Sequence, residues 1–197
     1  MIGLVDYIRG IGHGAKFSCS TINSRDSNRC LSYLGERMNV EVLIADYLNT
    51  KHATDVGALL NNYAQDPMGG GAPLSDFIKE NLAAELSKVP HAFSVICYVD
   101  GKPAGLINCF EAFSTFKCKP LINIHDIVVV NEFRGVGISQ FMLAKVEEQA
   151  KEKGCCKITL EVLEGNEIAR NSYIKFGFDG YELDPKMGKA LFWQKVI

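Results

Sequence analysis

The chain has 197 residues, of which 47% are hydrophobic and 22% charged, with a net charge of −2. These values describe a single folded domain with its own core. They exclude a disordered tail, a collagen-like fibre, and any affinity for nucleic acid or an anionic membrane that rests on an overall basic field. No apolar run approaches the roughly 18 residues of a membrane span, and the opening MIGLVDYIRG lacks the basic-then-apolar layout of a secretory signal.

Residues 1–37 are rich in Gly, Ser, Asn and Arg and show no sustained period of 2 or 3.6. They read as an N-terminal extension, with the folded domain spanning 38–197 and Met38 a candidate start. From there the patterns become legible. VEVLIADYL (40–48) alternates as a strand does. Val56, Leu59, Leu60 and Tyr63 fall on one helix face, and AQDPMGGGAP (64–73) breaks it with a segment that reads as a mobile loop. A second amphipathic helix carries Leu74, Phe77, Ile78, Leu82, Leu86 and Val89.

Three strands follow. HAFSVICYV (91–99) ends at the hairpin signal Asp100-Gly101, and KPAGLINCFEAF (102–113) returns. LINIHDIVVV (121–130) is nearly all apolar, as a strand buried on both faces must be. A helix over about 137–153 is stopped by Gly154, and CKITLEVL (156–163) reads as the next strand. Asn166 opens a helix that Gly177 stops, and Tyr181–Leu183 and ALFWQKVI (190–197) read as the last two strands. The expected fold is α/β (α+β), a mixed, mostly antiparallel sheet flanked by about four helices.

The seven cysteines and four histidines show no metal-ligand spacing, so no metal site is expected. Cys97, Cys109 and Cys156 lie in apolar runs and read as small hydrophobes of a reduced, cytoplasmic protein.

The most informative stretch is IVVVNEFRGVGISQFMLAKVEEQA, in which a buried strand enters a glycine loop that opens directly into a helix. Glycines leave the loop amides open, and the helix start adds unpartnered N–H groups and the positive end of its dipole. That combination holds phosphate. A P-loop would need Gly-Lys-Ser/Thr, which is missing, and a dinucleotide fingerprint would need glycine where Gln140 stands. A tight strand–helix connection and a coenzyme A pyrophosphate loop remain open on the loop alone.

A second motif narrows the choice. R-G-V-G-I-S resembles the Q/R-x-x-G-x-G/A signature of the GNAT acetyltransferase superfamily. About thirty residues on, LEVLEGNEIARNSYIKFGF is similar to that family's second motif, with Asn166, Ala169, Tyr173, Gly177 and Phe178 in its places. The resemblance covers Met38–Ile197, and Ser139 departs from the usual Gly or Ala. It implies acetyl-CoA as cofactor and direct transfer of the acetyl group to a primary amine. It further implies that the strand end at Val128, Val129 and Val130 meets the pantetheine and acetyl carbonyl. Arg134, Gly135, Val136, Gly137, Ile138 and Ser139 would hold the pyrophosphate, and Asn166 would line the cofactor.

By the same resemblance Tyr173 donates a proton to the leaving thiolate. His125, nine residues before Arg134, takes the place of the amine's base in several small-amine members. A core histidine bonded to nearby backbone is the other reading of His125. Strand alternation puts His125 and Asp126 on opposite faces, and Asp126 reads as an orienting carboxylate. Asp66 and Glu111 are candidates to receive a cationic amine, against the plainer reading of solvated loop charges.

The expected partner is a small-molecule amine acceptor. No nucleic acid or membrane partner is expected, and a homodimer would cover the terminal strand's open edge. Competing readings are a CoA-binding sensor or interaction module without useful catalysis, transfer of a longer acyl group, and N-acetylation of a protein or peptide.

Overall fold

The computed structural model describes residues 28–33, 36–181, 184, 186 and 191–197. The element order is β1 (Asn28–Tyr33), β2 (Glu36–Ile44), α1 (Thr50–Gln65), α2 (Asp76–Leu86), β3 (Ala92–Val99), β4 (Lys102–Ser114), β5 (Lys119–Val129), α3 (Ile138–Glu152), β6 (Ile158–Leu160) and α4 (Glu167–Phe176). A short 3-10 turn, Asn131–Phe133, links β5 to the glycine loop.

The six described strands lie in chain order across one sheet. Neighbours are antiparallel except β5 and β6, which are parallel. Short links join β3 to β4 and β4 to β5, while α1 and α2 lie between β2 and β3. Asp100 and Gly101 both take positive φ, 49° and 77°, as a two-residue hairpin turn requires. The parallel pair needs a crossover, and α3 supplies it.

Alternation along the central strands produces two cores. Val95, Cys97, Ile107, Cys109, Ile122 and Ile124 face α3 and α4, and pack on Ile138, Met142, Leu143, Val146 and Tyr173. Ile96, Tyr98, Leu106 and Val128 face the other way, onto Val56, Leu59 and Leu86 of α1 and α2. Three of the described helices, α1, α2 and α4, begin on a side-chain cap. Asn49 accepts from the N–H groups of Lys51 and His52, Ser75 from Ile78 and Asn166 from Ala169. The mixed, mostly antiparallel sheet with four flanking helices is the expected fold class.

Three elements differ from expectation. β1 precedes Met38 and pairs along β2, with Leu31 opposite Met38, so the sheet starts within the segment that showed no period. β6 is three residues long, where 156–163 read as a strand. Residues 191–197 form no strand, and Leu191, Phe192, Trp193, Val196 and Ile197 are exposed. A terminal apolar run becomes a strand only when a paired edge takes up its backbone groups, and no described strand pairs with it. Among the described residues there is thus no terminal strand whose open edge a homodimer would cover. Of the Tyr181–Leu183 strand, Tyr181 is irregular and 182–183 lie outside the described residues.

Candidate active site

β6 pairs with β5 only from Ile122–Ile158 to Ile124–Leu160. The next residue on β5 is His125, the extra residue of a β-bulge. Asn108 of β4 pairs with Asp126 and Cys109 with Ile124, so His125 has no partner. A bulge bends its strand and sharpens the twist, which accounts for β5 and β6 parting at this point. Beyond the bulge lies a cavity of about 610 Å³. Its walls are Ile127–Val129 of β5, Phe133–Gly135 and Gly137–Gln140 of the loop, Asn166 and residues of α4 including Tyr173, and Tyr63 with Asp66–Met68 at the end of α1. A smaller cavity of about 290 Å³ lies at the far end of α3, beside Cys155, Cys156 and Phe178.

The glycine loop has the conformation an open amide cradle needs. Gly135 and Gly137 take φ of 79° and 87°, which L side chains rarely adopt. A Cβ built at either meets nothing within 4 Å, so the space above the loop is open. Gly137 is the N-cap of α3 and leaves the helix start without a side-chain cap. Ser139, the departure from the signature, does not block the loop. Its hydroxyl lies 3.0 Å from the Ser172 hydroxyl, and Gln140 Nε2 donates to Ser172 O and Oγ at 3.0 Å each. These bonds tie the first turn of α3 to α4.

Arg134 points elsewhere than into the loop. Its Nε donates to the Val129 carbonyl at 2.8 Å and Nη2 to Asp66 Oδ2 at 2.9 Å. Asp66 is held below the usual carboxylate range, first by the Met68 N–H and then by Arg134. The 64–73 segment, expected to be mobile, is a folded turn. Gly69 and Gly71 donate to Asp66 O, and Ala72 to Ala64 O.

Tyr173 is 7% exposed, reaches the cavity from α4, and packs edge-on against Phe178 with centroids 6.0 Å apart. Burial, with a smaller contribution from Tyr63, pushes its phenol up to about 12. Of the other expected cofactor residues, Val128, Val129, Arg134, Gly135, Gly137, Ile138, Ser139 and Asn166 line the cavity. Val130 does not; its N–H donates to Ala104 O and its carbonyl accepts from Phe133. The Val136 side chain is buried in the core.

His125 is exposed, lies edge-on to Phe110 with centroids 5.6 Å apart, and is not among the cavity-lining residues. The bulge also overturns the expected opposition of His125 and Asp126. Phe110, which His125 touches, belongs to the α1 side of the sheet, and Asp126 bonds Asn108 on that same side. Glu111 pairs with Lys153 at the end of α3, away from the cavity. Tyr63 was the residue missed, because its i+7 spacing marks it as ordinary helix core. Burial, then the charges of Asp126 and Asp66, raise its phenol. No described helix is long and apolar enough to cross a membrane.

Comparison with known proteins places this geometry in context. The model of the acetyltransferase (GNAT) family matches residues 59–178. An uncharacterized N-acetyltransferase of Methanocaldococcus jannaschii is 34% identical over 89 residues, 45% of this chain and 39% of its own. The thialysine N-epsilon-acetyltransferase of Bos taurus is 39% identical over 68 residues, 34% of this chain and 39% of its own. The matches thus span about two fifths of these curated relatives. Among solved structures, a probable acetyltransferase aligns with TM-score 0.68 at 16% identity, over 80% of this chain and 99% of the other. An aminoglycoside N-acetyltransferase in complex with CoA aligns with TM-score 0.63 at 18% identity, over 82% and 98%. At these identities the structural matches speak for the fold.

Proposed function

Because the chain belongs to the GNAT acetyltransferase family, we propose that it transfers an acetyl group from acetyl-CoA to the primary amine of a small molecule. The observation that carries this reading is the cavity between the end of β5, the glycine loop, α4 and the end of α1. It joins an open glycine loop, a helix N-terminus and a buried phenol.

The residues fit the cofactor. The cradle that a Cβ would occupy at Gly135 and Gly137 is empty, and the amides at the start of α3 suit a pyrophosphate. Val128 and Val129 lie along the wall where a pantetheine arm would run, and Asn166 caps α4 beside it. Arg134 shapes the site by clamping the Val129 carbonyl and Asp66. When bound, acetyl-CoA supplies the activated thioester.

Tyr173 then provides the acid. At neutral pH its raised phenol stays protonated, so it offers an O–H to the charge that develops on the leaving sulfur. The buried wall around it strengthens that interaction. His125, exposed and off the cavity wall, is poorly placed for direct contact with the amine.

The acceptor is proposed to be a small aliphatic amine, on the strength of the thialysine N-epsilon-acetyltransferase relatives. The test is a panel of thialysine, lysine, 1,5-diaminopentane, spermidine and an aminoglycoside, each given with acetyl-CoA while free thiol is followed. Amine-dependent thiol release supports transfer. Cofactor binding without release from any amine favours a CoA-binding module instead.

A further inference from the structure

Cys155 and Cys156 stand side by side between the end of α3 and the start of β6, and both line the smaller cavity of about 290 Å³. Their backbone is pinned from both sides. Gly154 turns the chain with φ of 66°, and the Cys155 N–H donates back to Ala150 O at 2.9 Å. The Cys156 N–H donates to Pro120 O at 2.8 Å, and the Lys157 carbonyl accepts from Ile122 at 3.2 Å. Both thiols are half-buried. The apolar run around Cys156 marked it as a small hydrophobe, yet it lines a cavity beside a second thiol.

The two thiols differ in setting. Cys155 packs against the core, and burial, then the charge of Glu111, pushes its thiol up. A thiol held in that form is slow to attack a free disulfide, but it can displace a group already bound to its neighbour. Cys156 stands beside Lys157, and both belong to the cavity wall together with Lys151, which pairs with Glu147 at 3.0 Å. Among the described residues no group of three or more His, Cys, Asp or Glu is placed to hold a metal ion. The chemistry open to the pair is therefore thiol–disulfide exchange, in which an attacking cysteine stands next to a resolving one.

The same cavity reaches the end of α4. Phe176, Gly177 and Phe178 form part of its wall. Phe178 lies edge-on to Tyr173 with centroids 6.0 Å apart, and its N–H donates to Tyr173 O at 3.0 Å. A group added in the smaller cavity thus meets the ring and the backbone turn that seat Tyr173.

We propose that Cys155 and Cys156 form a modification site for small disulfides, with Cys156 attacking and Cys155 resolving, and that its oxidation is felt at Tyr173 through Phe178. The effect on Tyr173 rests on the acetyl-transfer reading above; the site itself does not. The Cys156 thiolate attacks one sulfur of the small disulfide, whose S–S bond breaks and releases one thiol. Cys155 then loses its proton to solvent, displaces the second small thiol from Cys156 and closes the Cys155–Cys156 bond. The pair gives up two electrons and two protons, and the small disulfide becomes two thiols. Adjacent Cα atoms are about 3.8 Å apart, closer than the roughly 4.4–6.8 Å usual for a disulfide. The closed ring is therefore strained and readily reopened by a reducing thiol.

The test treats the full-length protein with oxidised glutathione, removes the excess, and reads the peptide carrying both cysteines by mass spectrometry. Wild type should yield that peptide two hydrogens lighter, and dithiothreitol should restore it. Cys155→Ser should keep glutathione on Cys156, and Cys156→Ser should react at least about tenfold more slowly at this peptide. Cys118→Ser should leave the pair's oxidation unchanged. If Cys155→Ser does not fold, a time course on wild type carries the test, with glutathione on Cys156 appearing before the ring. A pair that stays reduced, or glutathione that persists on Cys156 in wild type as it does in Cys155→Ser, overturns the site. The oxidised protein should form acetylated amine about threefold more slowly or worse, with full recovery on reduction. Unchanged activity in the oxidised protein overturns the link to Tyr173. A protein inactive on every amine while reduced overturns that link together with the acetyl-transfer reading, and the mass of the peptide still decides the site.

Discussion

Arg134 and Asp66 join the glycine loop to the end of α1 through a contact of 2.9 Å. Both side chains are partly exposed, at 46% and 18%, so the pair contributes little in solution. Asp66→Asn should cost less than about 1 kcal/mol at neutral pH. The carboxyl is lowered from 3.8, so its contribution is complete above that value and fades as pH falls through the folded-state value. Urea denaturation from pH 7 downward should show the wild type and variant converging below about pH 4.

Removing the phenolic oxygen of Tyr173 isolates its chemistry. Tyr173→Phe keeps the ring against Phe178, so melting temperature should barely change. Thiol release with a good acceptor should slow by about 10²-fold or more, with KM for acetyl-CoA nearly unchanged. Steady-state kinetics on both proteins provide the check.

Gly137 needs its left-handed backbone. Gly137→Ala meets no steric neighbour, but its φ of 87° is costly for an L residue. The expected loss is about 1–2 kcal/mol, with weaker acetyl-CoA binding in a calorimetric titration. Gly165→Ala, where φ is not positive and space is open, is the control and should bind normally.

Burial also sets the order of thiol reactivity. Cys97 and Cys109 are buried, and burial pushes the Cys97 thiol up to about 12. Among the described cysteines, iodoacetamide at mildly alkaline pH should label exposed Cys118 first and spare Cys97 and Cys109 until the protein is unfolded.

What the sequence disclosed, and what it hid, has a physical pattern. The helices were legible from their 3.6-residue apolar stripes, with a capping Asn or Ser at the start of α1, α2 and α4 and a glycine at the start of α3. The hairpin was legible because Asp-Gly tolerates two positive φ values. The glycine loop and Tyr173 were legible as motifs, and the structure puts them in one cavity. The bulge at His125 was not, because alternation assumes a regular strand and only the partner strand's register shows the extra residue. Tyr63 was hidden for the opposite reason. Its spacing is that of a core residue, and its cavity wall comes from β5, far off in the chain. β1 escaped notice because NRCLSY is largely polar, and its pairing with β2 depends on backbone bonds. The terminal run was misread because apolar composition alone provides no strand partner.

The central claim is that this cavity joins acetyl-CoA to an amine. Mass spectrometry of the amine panel after incubation with enzyme and acetyl-CoA tests it most directly. The account predicts an amine carrying one added acetyl group, formed in step with free thiol and nearly abolished in Tyr173→Phe. Acetyl-CoA bound by the protein with no acetylated amine from any member of the panel would contradict it.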